Sequence, residues 1–138
     1  MAIVVGYIST PEGEAALEAA VVEARRRDAR LVVVMSRRSR PEDHAVVEAE
    51  VDHVRDVLDE TELAYDVRRT GRSNDVVEDI VGAAEEAGAD LVVIGLRRRS
   101  PVGKLFLGSN AQRILLDAPC PVLAVKPAQQ GNEASAAS

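Results

Sequence analysis

Short apolar runs alternate along the chain with longer segments in which apolar residues recur at helical spacing. The runs occupy residues 3–8, 31–35, 63–70, 91–94 and 121–125, and most are rich in β-branched residues. Continuous runs of this length are typical of strands that a parallel sheet buries on both faces. The run at 63–70 alternates imperfectly with charged residues, which predicts an edge strand.

The segments between the runs predict helices with one apolar face each. The spacing i, i+3, i+4, i+7 is followed by Leu17, Ala20, Val21 and Ala24, by Val77, Ile80, Val81 and Ala84, and, with one step of drift, by Val47, Val51, Val54 and Leu58. Thr10 followed by Pro11 predicts the start of the first helix, and Ser73 and Ser109 predict the starts of the third and fourth. Gly88 predicts the end of the third helix.

The resulting order, β-α-β-α-β-α-β-α-β, predicts an α/β fold with a doubly wound parallel sheet. A chain of 138 residues is long enough to bury one ordinary core. We expect one domain over residues 1–127 and a disordered tail over 128–138, where small and polar residues dominate. Ligands of such sheets bind beyond the carboxyl ends of the strands, where the strand order reverses. The loops after the first and fourth strands therefore form the candidate site.

Composition and charge exclude several function classes. Aromatic residues make up only 2% of the chain and the formal net charge is −6, both of which disfavour binding to nucleic acid. The single cysteine, Cys120, excludes an internal disulfide. No apolar run approaches the roughly 18 residues that span a bilayer, and the first residues lack the pattern of a signal peptide. We expect a cytoplasmic protein without membrane or nucleic-acid partners.

The segment after the fourth strand combines glycines with positive charge. Gly95 follows the strand, and Gly108, Ser109 and Asn110 precede the last helix, where free N–H groups and the helix dipole attract anions. Positive charge is added by Arg97, Arg98, Arg99 and Lys104. Two interpretations stay open. The segment is a phosphate site, or its glycines serve only a turn and its arginines are solvated.

The segment does not match the common nucleotide-binding motifs. Its stretch 98–105 resembles the end of a P-loop, but Arg98 stands where the first glycine belongs. Leu105 follows Lys104, so the hydroxyl that would bind Mg²⁺ is missing. The dinucleotide pattern GxGxxG is absent from the sequence.

Candidate catalytic and metal-binding residues lack partners. His44 and His53 match no metal-ligand spacing. Ser9, Thr10 and Cys120 have no basic residue nearby that would activate a nucleophile. We therefore expect that the protein is not an enzyme.

The chain resembles the universal stress proteins from Ala2 to Pro127. Residues 3–17 match the family's first strand and the Ala- and Leu-rich helix after it, and residues 118–123 resemble its last strand. The family's ATP-binding motif is Gly, two residues, Gly, nine residues, Gly, then Ser or Thr. Its first and last parts are matched by Gly95, Gly108 and Ser109, whereas its middle glycine is replaced by Arg98. The strand-one aspartate of ATP-binding members is replaced by Ile8, and the next glycine by Ser9.

The resemblance implies a fold like that of the adenine nucleotide alpha hydrolases: a five-stranded parallel sheet of order 3-2-1-4-5 with four helices. It also implies a non-enzymatic stress-response protein that binds ATP or a related adenine nucleotide, with Mg²⁺ as a possible companion. The residues expected at the nucleotide are Gly95, Arg97, Arg98, Arg99, Gly108, Ser109, Asn110, Ile8, Ser9, Val33 and Val34. The two valines, at the end of the second strand, are expected to flank the base.

The last strand is expected at the sheet edge, where pairing with a second copy about a two-fold axis would cover it. The resemblance implies the same homodimer, through Val122, Leu123, Ala124 and Val125. An alternative hypothesis is a nucleotide-free dimeric interaction or scaffold protein of the same fold, whose arginines pair within the protein or with an acidic partner. Ile8 and Arg98 favour this alternative. A third, an adenylate-handling enzyme, requires a general base, a metal site or a Gly-rich loop that the sequence does not show.

Overall fold

A computed structural model describes residues 1–35, 44–69, 75–98 and 105–127. In chain order its elements are β1 (Ala2–Tyr7), α1 (Pro11–Arg27), β2 (Arg30–Met35), α2 (His44–Asp59), β3 (Tyr65–Arg69), α3 (Val76–Ala87), β4 (Leu91–Gly95), β5 (Arg97–Arg98), β6 (Leu105–Phe106), α4 (Ser109–Asp117) and β7 (Val122–Val125). The predicted strands are present with ends shifted by one or two residues. The two-residue strands β5 and β6, which pair antiparallel, were not expected because so short a pairing leaves no periodic pattern.

The main sheet has the order β3-β2-β1-β4-β7, and its strands pair in parallel. This confirms the expected order 3-2-1-4-5, since β7 is the fifth strand of this sheet. The central strand β1 pairs with β2 on one side and with β4 on the other. The strand order reverses between β1 and β4, so a crevice opens at the carboxyl ends of these two strands.

Alternating side chains of the central strands pack into two core layers. Ile3, Val5 and Tyr7 belong to the layer that includes buried residues of α1 and α2. Val4 and Val92 belong to the layer that includes buried residues of α3 and α4. Because both faces of β1 and β4 are packed in this way, the strand ends that carry the crevice are held rigidly.

Two helix boundaries follow the expected capping pattern. The Thr10 hydroxyl accepts a hydrogen bond from the backbone N–H of Gly13 at 3.1 Å, and Pro11 is the first residue of α1. Gly88 ends α3 with a φ of 61°, a left-handed conformation that glycine adopts without strain. The start of α1, directly after β1, is therefore fixed by its own side chains.

Two other helix starts differ from the expectation. The cap of α3 is Asp75, whose carboxylate accepts a hydrogen bond from the Val77 N–H at 2.8 Å, whereas Ser73 lies outside the described residues. In α4 the cap position is occupied by Gly108, and Ser109 is the first helical residue. Because glycine has no side chain to cap with, no side-chain hydrogen bond caps α4 in the described structure.

The remaining expectations about the chain's organisation fall partly outside the described residues. The predicted tail at 128–138 and Lys104 both lie outside the described residues. The domain boundary at residue 127 stays a prediction. Among the helices that the structure describes, none is both long and apolar enough to cross a membrane.

Candidate functional site

A cavity of about 340 Å³ lies at the carboxyl ends of β1 and β4. Its polar lining residues are Tyr7, Glu12, Arg97 and Asn110. Its apolar lining is larger and comes from β1, β4, α3 and α4: Gly6, Ile8, Val76, Ile80, Ile94, Ala111 and Ile114. A mostly apolar pocket with a few polar groups is the usual form of a small-molecule site, and this volume lies within the range of such sites.

A second cavity of about 280 Å³ adjoins the first at the start of α4. The two share six lining residues: Ile8, Glu12, Gly95, Arg97, Asn110 and Ala111. The second cavity adds Leu96, Gly108 and Ser109. We refer to the two cavities together as the crevice. The first cavity has space for an apolar group, and the second lies beside the start of α4.

The start of α4 brings hydrogen-bond donors to the crevice. The first backbone bond of this helix runs from the Gln112 N–H to the Gly108 carbonyl at 3.0 Å. The N–H groups of Ser109, Asn110 and Ala111 precede that bond, and a helix offers such groups no partner of its own. With no capping side chain at Gly108, these donors and the positive end of the helix dipole favour an anion.

Two glycines allow α1 to pack directly against backbone at the crevice. A Cβ atom on Gly13 would lie 1.8 Å from the carbonyl oxygen of Ile8, and one on Gly95 would lie 2.3 Å from that of Glu12. Contacts this short with backbone atoms exclude any side chain at either position. Gly95 therefore has a packing role at the end of β4, apart from the ligand role that the sequence suggested.

The acidic residue Glu12 is a crevice residue that sequence reasoning missed. It lies in the first turn of α1, and its side chain is only 15% exposed. Its Oε2 atom lies 3.7 Å from Nε of Arg97, whose side chain is 66% exposed. The signal available in the sequence was the position of Glu12 just after the first strand, since its acidic type is expected of any first helical turn. The crevice thus contains a carboxylate where only positive charge was expected.

Six of the predicted site residues are brought together by the structure. They line the crevice and are Ile8, Gly95, Arg97, Gly108, Ser109 and Asn110. Ile8 is 36% exposed, so it presents an apolar side chain to the crevice.

The other predicted site residues lie elsewhere or outside the described part of the chain. Ser9 is exposed in the turn after β1 and is not among the described lining residues of the crevice. Val33 and Val34 are 0% and 2% exposed, each inside a core layer, and β2 continues to Met35. Their contact with a base stays a prediction that this burial does not support. The Arg98 backbone pairs with β6, but its side chain and all of Arg99 lie outside the described residues.

An ion pair joins two helices that line the crevice. Nη1 of Arg113 in α4 lies 2.7 Å from Oδ2 of Asp75, the cap of α3. The hydrogen bond from Arg113 holds the pKa of the Asp75 carboxyl below its usual range. Because both groups are open to water, the pair adds little stability.

A polar cluster behind the crevice joins α1 to β1 and α2. The Tyr7 hydroxyl donates to Glu14 at 2.5 Å, and Nε2 of His53 lies 3.1 Å from the same carboxylate. Burial, followed by the bond to Glu14, raises the pKa of Tyr7. Among the described residues, no group of His, Cys, Asp and Glu is arranged to hold a metal ion.

The single cysteine is partly buried against the α3 and α4 core layer. Burial raises the pKa of the Cys120 thiol, so the reactive thiolate is disfavoured at neutral pH. The position thus fits a packing role in that core layer.

Comparison with known proteins gives consistent matches along the chain. A model of the universal stress protein family matches residues 1–126. A universal stress protein of Mycolicibacterium smegmatis is 43% identical over 131 residues, which covers 91% of this chain and 97% of that protein. A solved universal stress protein of Archaeoglobus fulgidus is 33% identical with a TM-score of 0.76, covering 91% of this chain and 98% of its own.

A second structure from the same archaeon carries a ligand. It is a universal stress protein in complex with dAMP, 28% identical to this chain with a TM-score of 0.72. The match covers 91% of this chain and 98% of that one.

Proposed function

Because this chain belongs to the universal stress protein family, we propose that it is a stress-response protein that binds an adenine nucleotide in the crevice. The observation that carries the proposal is the pairing of an apolar cavity with the uncapped start of α4. An apolar wall suits a purine base, and the N–H groups of a helix start suit a phosphate. The relative in complex with dAMP supports the same ligand class.

The finer features of this function rest on the sequence. The family resemblance implies ATP with Mg²⁺ as a member of the ligand class. Mg²⁺ is commonly held by substrate phosphates with few protein ligands, so the absence of a described acidic cluster does not conflict with it. A location in the cytoplasm likewise stays a prediction.

We propose that binding, and not turnover, is the function. The polar side chains described in the crevice are Tyr7, Glu12, Arg97, Ser109 and Asn110, and no described histidine accompanies them there. Among the described residues, no hydrogen bond joins the Ser109 hydroxyl to the Glu12 carboxylate, which is the kind of pairing that activates a serine nucleophile. A bound nucleotide would act by favouring one conformation or partner of the protein over another.

The proposal is tested by titrating nucleotide-free protein with AMP, ADP and ATP in a calorimeter. We expect saturable heat with one site per chain, and we expect adenine nucleotide to be released when freshly purified protein is denatured. Absence of heat up to millimolar nucleotide, together with no co-purified nucleotide, would overturn the proposed function.

We expect Gly108→Val to weaken nucleotide binding by at least about tenfold, or about 1.4 kcal/mol. A Cβ at this position meets nothing within 4 Å, and the φ of −68° is open to any residue, so the fold should persist. The branched side chain would stand beside the N–H groups proposed to hold phosphate. Leu116→Val, on the same helix and 82% exposed, is the control. Binding that survives Gly108→Val would place the phosphate elsewhere.

We also propose that the protein is a homodimer through β7. This strand lies at the sheet edge, and no described strand pairs with its outer side. Leu123 on the strand is 36% exposed. A second copy paired there would cover the open backbone groups and close the assembly with two-fold symmetry.

Leu123→Lys is expected to give a monomer at concentrations at which the wild-type protein is dimeric, as measured by light scattering during gel filtration. The added charge would be buried against its own symmetry copy, which is unfavourable. Val46→Lys places the same charge on α2, where the valine is 47% exposed, and should leave the dimer intact. A dimer that withstands Leu123→Lys would exclude this interface.

Two observations favour the alternative, a nucleotide-free dimeric interaction protein. Arg97 pairs with Glu12 within the protein, as that hypothesis expects of the arginines, and Ile8 makes the crevice less polar. The two functions are separated by the calorimetric titration, because only the first requires nucleotide binding.

A further inference from the structure

Glu12 carries negative charge into the part of the crevice where phosphate is proposed to lie. Glu12 lines both cavities, together with Asn110 and Ala111 at the start of α4. With only 15% of its side chain exposed, the carboxylate is poorly screened by water.

The backbone of Glu12 is held in place by two close contacts. Gly95 approaches so closely that a Cβ there would lie 2.3 Å from the Glu12 carbonyl oxygen. The next residue, Gly13, lies even closer to the backbone of Ile8, and it donates its N–H to the Thr10 hydroxyl at 3.1 Å. A ligand therefore cannot displace the first turn of α1 without disturbing the packing of β1 and β4.

The described positive charge of the crevice is already engaged. Arg97 is the guanidinium that the structure describes among the lining residues, and its Nε lies 3.7 Å from the Glu12 carboxylate. The two charges cancel to a first approximation. The attraction left for a ligand in the described crevice is that of the α4 start, equivalent to about half a positive charge.

We propose that Glu12 determines ligand specificity by charge, so that the crevice accepts adenine ligands with one phosphate or none and disfavours ADP and ATP. This inference rests on the proposed function. The start of α4 can hold a single phosphate through its N–H groups. Each further phosphate would need further positive charge, and Glu12, whose side chain is 15% exposed, already neutralises Arg97, the guanidinium described in the crevice.

The test compares adenosine, AMP, ADP and ATP by calorimetry without Mg²⁺, which would mask phosphate charge. Wild-type protein is expected to bind AMP more tightly than ATP. Glu12→Gln keeps the size of the side chain but removes its charge, and should raise the affinity for ATP relative to AMP by about tenfold. Glu18→Gln removes the same charge from an exposed position on α1, outside the described lining of the crevice, and should leave that ratio unchanged.

Tighter binding of ATP than of AMP by the wild type, or an affinity ratio that Glu12→Gln does not change, would overturn the proposal and leave the proposed function standing.

Two other outcomes have distinct meanings. If Glu12→Gln lowers the affinity for all four ligands by the same factor, the carboxylate binds a part that they share, such as the ribose, and the charge proposal is wrong. If neither protein binds any of the four, the proposed function fails and this inference fails with it.

Discussion

Replacing Gly13 by alanine is expected to lower the free energy of unfolding by at least about 3 kcal/mol, the upper end of the usual cost of overpacking. Alanine is the better helix former, so helix propensity alone predicts the opposite sign. The added Cβ would lie 1.8 Å from the backbone oxygen of Ile8, and a backbone atom cannot rotate away as a side chain can. To relieve the contact, α1 would have to move away from β1. Urea denaturation followed by circular dichroism measures the change.

Gly82→Ala is the matched control, because Gly82 also lies within a helix but a Cβ there meets nothing within 4 Å. We expect this variant to be stabilised by about 0.5–1 kcal/mol, since alanine loses less backbone entropy on folding. Opposite signs for the two substitutions would confirm that α1 is packed against backbone at Gly13. Stabilisation of both proteins would show that this close contact does not exist.

The contrast between these glycines shows what the sequence can and cannot predict. Apolar periodicity predicts α1 and β1 because burial on one or two faces leaves a regular pattern. It does not distinguish Gly13 from Gly82, since the atom that excludes a side chain at Gly13 belongs to the backbone of Ile8. A backbone contact leaves no trace in the types of the surrounding residues.

The candidate site was predicted in outline for a related reason. The rule that ligands bind where strand order reverses locates the ends of β1 and β4, and six expected residues line the crevice there. Glu12 was missed because its acidic type is fully explained by the helix start. The pattern predicts β2 but not how deeply its last residues are buried. Val33 and Val34 were therefore expected at the ligand, whereas both side chains are buried.

Ala111→Trp is expected to reduce the affinity for adenine nucleotides by at least about 100-fold, or about 2.7 kcal/mol, while leaving the fold intact. Ala111 lines both cavities of the crevice and is partly exposed, so an indole ring fits there only by filling space proposed for the ligand. Calorimetry measures the affinity, and thermal unfolding measures the stability. Leu116→Trp, on the same helix but 82% exposed, should bind as the wild type does.

The chain contains no tryptophan, so the introduced indole at Ala111 is also the only one that fluoresces in this variant. A ring inserted between α4 and the strand ends should emit at shorter wavelength than the exposed ring of Leu116→Trp, which verifies that the crevice is filled. Wild-type affinity in an Ala111→Trp protein with such emission would place the nucleotide outside the crevice. If Ala111→Trp abolishes the binding of every ligand, whereas Glu12→Gln changes only the preference among them, then filling the site and selecting ligands by charge are separate effects.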